Sequence, residues 1–151
     1  MKKLLFTIGI LAMYILSLHS PLSAIEAGKK QFFEVGSIIN ELENGIYSVQ
    51  TKGEKPGEGI VYTPENGTFN TKPQFQVELK GSGEVLLKIE ETNARGQFIK
   101  EVRVENITLT DDWKTYHINI DLETETSQID FFVITETKEN THFSFKNVEL
   151  N

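Results

Sequence analysis

Several stretches of the chain alternate apolar and polar residues with a period of two. Phe75, Val77 and Leu79 alternate with Gln74, Gln76, Glu78 and Lys80. Val85, Leu87 and Ile89 follow, and Tyr116, Ile118 and Ile120 alternate with Thr115, His117 and Asn119. Ile129, Phe131 and Val133 alternate with Asp130, Phe132 and Ile134, and Phe143 and Phe145 with Ser144 and Lys146. This period sends one set of side chains into a core and the other onto a sheet face, so each run predicts a half-buried strand. The residue types agree, being rich in Val, Ile, Thr, Phe and Tyr.

Turn chemistry separates the runs. Asn44-Gly45, Asn66-Gly67, Gly81-Ser82-Gly83, Asn93-Ala94-Arg95-Gly96 and Thr110-Asp111-Asp112 supply the residues that tight turns need. Residues 52–59 read as a loop. Beyond residue 24 the best helix candidate is Ser37–Glu43, barely two turns long. Short strands at this spacing predict a single all-β domain, a sandwich or barrel.

The N-terminus follows a different pattern. Lys2 and Lys3 precede an almost wholly apolar run over residues 4–18, then Pro21 and the small residues Ser23 and Ala24. A basic start, a short apolar stretch and a small residue at the cut describe a secretory signal peptide. The run is shorter than the roughly 20 residues of a spanning helix. The expected division is therefore a signal peptide over residues 1–24, with Ala27 as a second cleavage point, and one β-domain over 25–151. That domain is expected to be secreted or held at the cell surface, with no membrane span after processing.

Composition narrows the chemistry. The 151 residues include no cysteine, which removes disulfides, thiolate metal sites and cysteine nucleophiles. A formal charge of -7 opposes a phosphate-binding surface, so no nucleic-acid partner is expected. No G-x-S-x-G, P-loop or G-x-G-x-x-G occurs. His117 and His142 fall on different strands, with no carboxylate at a recognisable metal spacing. The acids Glu90-Glu91, Asp111-Asp112 and Asp121/Glu123/Glu125 sit where solvated strand faces and turns put them. The expectation is no enzyme, no cofactor and no metal.

Tyr47, Phe75, Tyr116, Phe131, Phe143 and Phe145 share parity with aliphatic neighbours and are expected in the core. Trp113, at a strand entrance, is expected to seal one end of the sandwich, with a sugar platform as the alternative. Phe132 has outward parity, which marks a second packed layer or a binding surface.

Four stretches carry a resemblance. Gln74-Phe75-Gln76-Val77-Glu78-Leu79-Lys80-Gly81-Ser82-Gly83, followed by residues 85–96, resembles the paired strands of jelly-roll carbohydrate-binding modules of the type appended to xylanases and endoglucanases. Leu109-Thr110-Asp111-Asp112-Trp113-Lys114-Thr115-Tyr116 is similar to a strand opening in the same galactose-binding-like modules. Phe143-Ser144-Phe145-Lys146-Asn147-Val148-Glu149-Leu150 resembles their final strand, and Phe33-Glu34-Val35-Gly36 their opening Phe-Glu-x-Gly. Together these cover most of residues 32–151.

The resemblance implies a two-sheet antiparallel β-sandwich that binds a polysaccharide or glycan. Aromatic rings would stack on sugar rings while polar side chains bond the hydroxyls. The outward residues expected to do this are Gln74, Gln76, Glu78, His117, Asn119 and Asp130, with Phe132 as the platform. The outward surface is poor in Trp and Tyr, the usual sugar platforms. The alternative is a structural or protein-interaction sandwich of a surface or matrix assembly, with no sugar site, since a fold does not decide function.

The resemblance also implies a structural calcium between the Glu of the opening motif and an Asp of the final strand. The matching positions here are Glu34 and Lys146, and an ammonium cannot ligate calcium. Two expectations follow: a Glu34–Lys146 ion pair in place of the ion, or Lys146 as an outward surface lysine.

Overall fold

The computed structural model describes residues 32–64 and 70–151. The segment read as a signal peptide and the Asn66-Gly67 turn lie outside the described residues. Every regular element within them is a strand: β1 (Phe32–Val35), β2 (Ser37–Glu43), β3 (Ile46–Thr51), β4 (Gly59–Tyr62), β5 (Gln74–Ser82), β6 (Glu84–Thr92), β7 (Phe98–Thr108), β8 (Lys114–Asn119), β9 (Gln128–Ile134) and β10 (His142–Leu150). They form two five-stranded antiparallel sheets, β1-β4-β9-β6-β7 and β2-β3-β10-β5-β8. The sheets face each other as a β-sandwich. No helix among the described residues is long and apolar enough to cross a membrane.

The inward parity of each strand builds the core. Phe75, Val77 and Leu79 from β5 meet Val85, Leu87 and Ile89 from β6, with Phe131 and Val133 from β9 and Phe143 and Phe145 from β10, all buried. Rings bridge the two sheets: Phe75 stacks on Phe131 at 4.7 Å, and Phe32 meets Phe145 edge-on at 4.8 Å. Tyr47 stacks on Phe145 within its own sheet. Each buried aliphatic or Phe side chain contributes about 1.5–3 kcal/mol, which lets the core hold without disulfides.

Ser37–Glu43 is a strand, not a helix. Asn44 (φ 48°) and Gly45 (φ 75°) both take left-handed backbone, the arrangement of a two-residue hairpin turn. That turn folds β2 onto β3 with Ser37 opposite Thr51 and Asn40 opposite Ser48. A two-turn helix is marginal by itself, so the hairpin prevails.

The expected pairing of β5 with β6 is also corrected. β5 lies between β10 and β8, and β6 between β9 and β7. The Gly81-Ser82-Gly83 stretch carries the chain from one sheet to the other instead of closing a hairpin.

Candidate functional site

The outer face of β2-β3-β10-β5-β8 is built by the polar parity of its strands. Gln74 lies opposite Asn119, Gln76 opposite His117 and Glu78 opposite Thr115 across the β5–β8 pair. The Gln74 amide donates to Asn119 Oδ1 at 2.8 Å. On the other side of β5, Ser144 lies opposite Lys80, Lys146 opposite Glu78 and Glu149 opposite Gln76. Five of the expected residues, Gln74, Gln76, Glu78, His117 and Asn119, therefore share one face.

Asp130 and Phe132 do not join them. Both are on β9, which belongs to the opposite sheet, so their outward side chains leave the sandwich on its other side. Phe132 lies in the row Val61–Phe132–Lys88–Arg103. Its ring is covered by the Lys88 ammonium at 4.1 Å, which also bonds Glu90 at 2.9 Å. Asp130 accepts a hydrogen bond from the Thr63 hydroxyl. Parity tells which residues point outward; it does not tell to which sheet a strand belongs.

Trp113 belongs with the first face, not at the end of the sandwich. Its ring lies 4.9 Å from the Lys80 ammonium and 4.6 Å from that of Lys146, both outward side chains of β5 and β10. Such cation–π contacts contribute about 0.5–1 kcal/mol each at exposed sites and help to fix the ring. The sequence signal was available: Trp113 has the same parity as Thr115, His117 and Asn119. Its ring is half-buried and is not among the hydrophobic residues packed on the core.

A bulge in β10 completes this side. The register of β10 on β5 shifts between Lys146 and Glu149, and Asn147 takes left-handed backbone (φ 50°). The extra residue keeps Val148 inward while turning Asn147 outward, where its amide donates to Glu78 Oε1 at 2.7 Å. Lys146 bonds the other carboxylate oxygen of Glu78 at 3.2 Å. The Asn147 bond, and then Lys146, hold the Glu78 carboxyl below its ordinary pKa against the opposing effect of burial.

Beyond Lys80 the face sinks into an open pocket of about 350 Å³, lined by Lys80, Gly81, Asp111, His142, Phe143 and Ser144. Asp111, His142 and Ser144 were not among the expected residues. Ser144 has outward parity on β10, but only the pairing of β10 with β5 brings it beside Lys80.

The calcium position does not fit an ion. Glu34 Oε1 accepts the Ile39 backbone N–H at 2.9 Å. Lys146 points out from the other sheet and pairs with Glu78, so the Glu34–Lys146 ion pair does not form and the outward-lysine expectation holds. Among the described residues there is no group of three or more His, Cys, Asp or Glu that could hold a metal.

Two facing antiparallel sheets of this order define the jelly-roll sandwich found in carbohydrate-binding modules. Solved structures of family 29 carbohydrate-binding modules share it. One, a variant complexed with cellulohexaose, superimposes with a TM-score of 0.58 at 18% identity, covering 81% of this chain and 79% of that one. A variant complexed with mannohexaose gives 0.57 at 18% identity, covering 81% and 79%. A further family 29 module gives 0.55 at 18% identity, covering 81% and 77%. No family model matches the chain, and no curated protein matches it.

Proposed function

We propose that this chain is a secreted, non-catalytic module that binds a polysaccharide through the outer face of β2-β3-β10-β5-β8. The observation that carries the reading is Trp113, an indole on the same face as Gln74, Gln76, Glu78, His117 and Asn119. A flat aromatic ring packs on the apolar face of a sugar, and neighbouring amides, imidazole and carboxylate bond its hydroxyls. The solved neighbours complexed with cellulohexaose and mannohexaose support the same reading.

Affinity electrophoresis in gels containing soluble glucans, mannans and xylans tests it. Trp113→Ala is expected to weaken retention about tenfold, on the scale of one aromatic contact. His117→Ala weakens it less, and Phe132→Ala, on the opposite face, leaves it unchanged. Migration of the wild-type domain equal to an inert control in every gel overturns the reading. The secreted part is tested separately by intact mass: the exported species is expected to begin at Ile25 or Gly28, and an exported chain retaining residues 1–24 refutes it.

A second reading, a protein-interaction sandwich, is favoured by the sheet edges. Edge strand β2 exposes Ile38 and Leu42, and edge strand β7 exposes Phe98 and Val104. Exposed apolar edges pair readily with other chains. Concentration-dependent association that Ile38→Lys or Val104→Lys abolishes would support it.

A further inference from the structure

We propose that the pocket beside Trp113 receives a sugar unit bearing a negative charge, a uronate or a sulfated residue. The proposal rests on the polysaccharide reading of this face and adds the class of ligand. Two ammonium groups lie over the Trp113 ring, at 4.9 Å for Lys80 and 4.6 Å for Lys146. They are not equivalent. Lys146 is neutralised by Glu78 at 3.2 Å, and the other oxygen of Glu78 is taken by Asn147. Lys80 has no carboxylate within ion-pair distance among the described residues; its ammonium lies against the indole instead.

The position of Lys80 gives that charge a use. It stands between the aromatic ring and the pocket lined by Gly81, Asp111, His142, Phe143 and Ser144. A sugar ring resting on Trp113 can therefore reach Lys80 with a substituent while its hydroxyls meet Ser144 and His142. Asp111 also lines the pocket, where its carboxylate can accept bonds from hydroxyls and disfavours an anion beside itself, which leaves Lys80 as the partner for a charged substituent. An ammonium held at a ring and partly screened from water forms a stronger bond to an anion than a free surface lysine does. A chain with a formal charge of -7 otherwise repels acidic polymers, so the selectivity comes from this local cation rather than from the overall field.

Calorimetry on the full domain tests the proposal with three probes of equal length: neutral cellohexaose, an oligogalacturonate, and a sulfated galactan oligosaccharide. The acidic probes are expected to bind more tightly than the neutral one, the oligogalacturonate and the sulfated probe separating carboxylate from sulfate. Lys80→Gln is expected to lower acidic-probe affinity roughly tenfold, the scale of one charge-assisted hydrogen bond, and to weaken the neutral probe much less, through the lost contact with Trp113 alone. Lys80→Arg restores the acidic preference, and added salt weakens only the acidic probes. Lys80 points outward, so its variants fold, and Lys80→Gln lowers the melting temperature by no more than the few degrees that one exposed cation–π contact supplies. Equal affinity for neutral and acidic probes, or an equal loss for both in Lys80→Gln, overturns the charge selectivity while the polysaccharide reading stands. Absence of binding to both acidic probes overturns the charge proposal, and the polysaccharide reading falls only if the glucan, mannan and xylan gels fail as well.

Discussion

Lys146 Nζ lies 3.2 Å from Glu78 and 4.6 Å from the centre of the Trp113 ring, so one side chain ties β10, β5 and the entrance of β8 together. Replacing it by methionine removes the ion pair and one cation over the indole but keeps most of the apolar stem. Lys146→Met is expected to change stability by no more than about 1 kcal/mol, as for a partly exposed pair. It should also make Trp113 fluorescence more accessible to quenching by acrylamide. A quenching constant equal to wild type would show that the lysine does not fix the ring.

Gly36 and Gly45 have similar backbone angles, φ 59° and φ 75°, in different surroundings. A Cβ at Gly45 meets nothing within 4 Å, whereas one at Gly36 would lie 2.7 Å from Glu58 Cγ. Gly45→Ala is expected to cost about 1 kcal/mol, the backbone cost of left-handed geometry. Gly36→Ala is expected to cost about twice that or more, because a buried side chain must also move. Urea unfolding of both variants checks the difference, and equal midpoints would remove the steric part.

Glu58 is fully buried, and its carboxylate accepts the backbone N–H groups of Gly53, Glu54 and Lys55 at 2.6–3.0 Å. Burial acts to raise its pKa, but the N–H groups of residues 52–55 together outweigh it and hold the carboxyl below its ordinary value. The folded pKa is therefore lower than the unfolded one. The stability this group adds is present above the unfolded value and is lost as pH falls through the folded value. Glu58→Gln is expected to destabilise the domain at pH 7 and to flatten the acid limb of its stability profile. Parallel wild-type and variant profiles from pH 7 to pH 3 would contradict the assignment.

Calcium should not stabilise the domain. Glu34 already accepts the Ile39 N–H, and the matching final-strand position is a lysine that points away. An ion present at about 100 times its dissociation constant would add about 2.7 kcal/mol. In a domain of this size that raises the melting temperature by several degrees. The expected result is the same melting temperature in millimolar calcium and in EDTA. A calcium-specific rise, absent with magnesium, would reveal a site elsewhere.

β7 was not legible as a strand although it is the longest one. It is an edge strand, exposed along much of its length, so its alternation is weak. Its pairing with β6 also shifts register near Asn106, which has left-handed backbone, and this breaks the period. β2 has the same difficulty in shorter form: it too is an edge strand, mostly exposed, with Ile38 pointing to solvent while Ile39 packs on the core. Central strands such as β5 have a neighbour on each side and one buried face, which is why their pattern is clean.

The sequence by itself determined the inward rows of β5, β8 and β9, with Val85, Leu87 and Ile89 of β6 and Phe143 and Phe145 of β10, because alternation follows from the geometry of a single strand. It did not show that Glu91, read as solvated, is buried, or that a bulge turns Val148 inward. It also determined the all-β class and the Asn44-Gly45 turn. The tertiary structure alone decided which strands share a sheet, because pairing joins residues far apart in the chain and leaves no local trace. That pairing set Trp113, Lys80, His142 and Ser144 beside the expected row from Gln74 to Asn119, and sent Asp130 and Phe132 to the opposite face. A binding face is a property of neighbouring strands, and neighbours are chosen only when the two sheets close over the core.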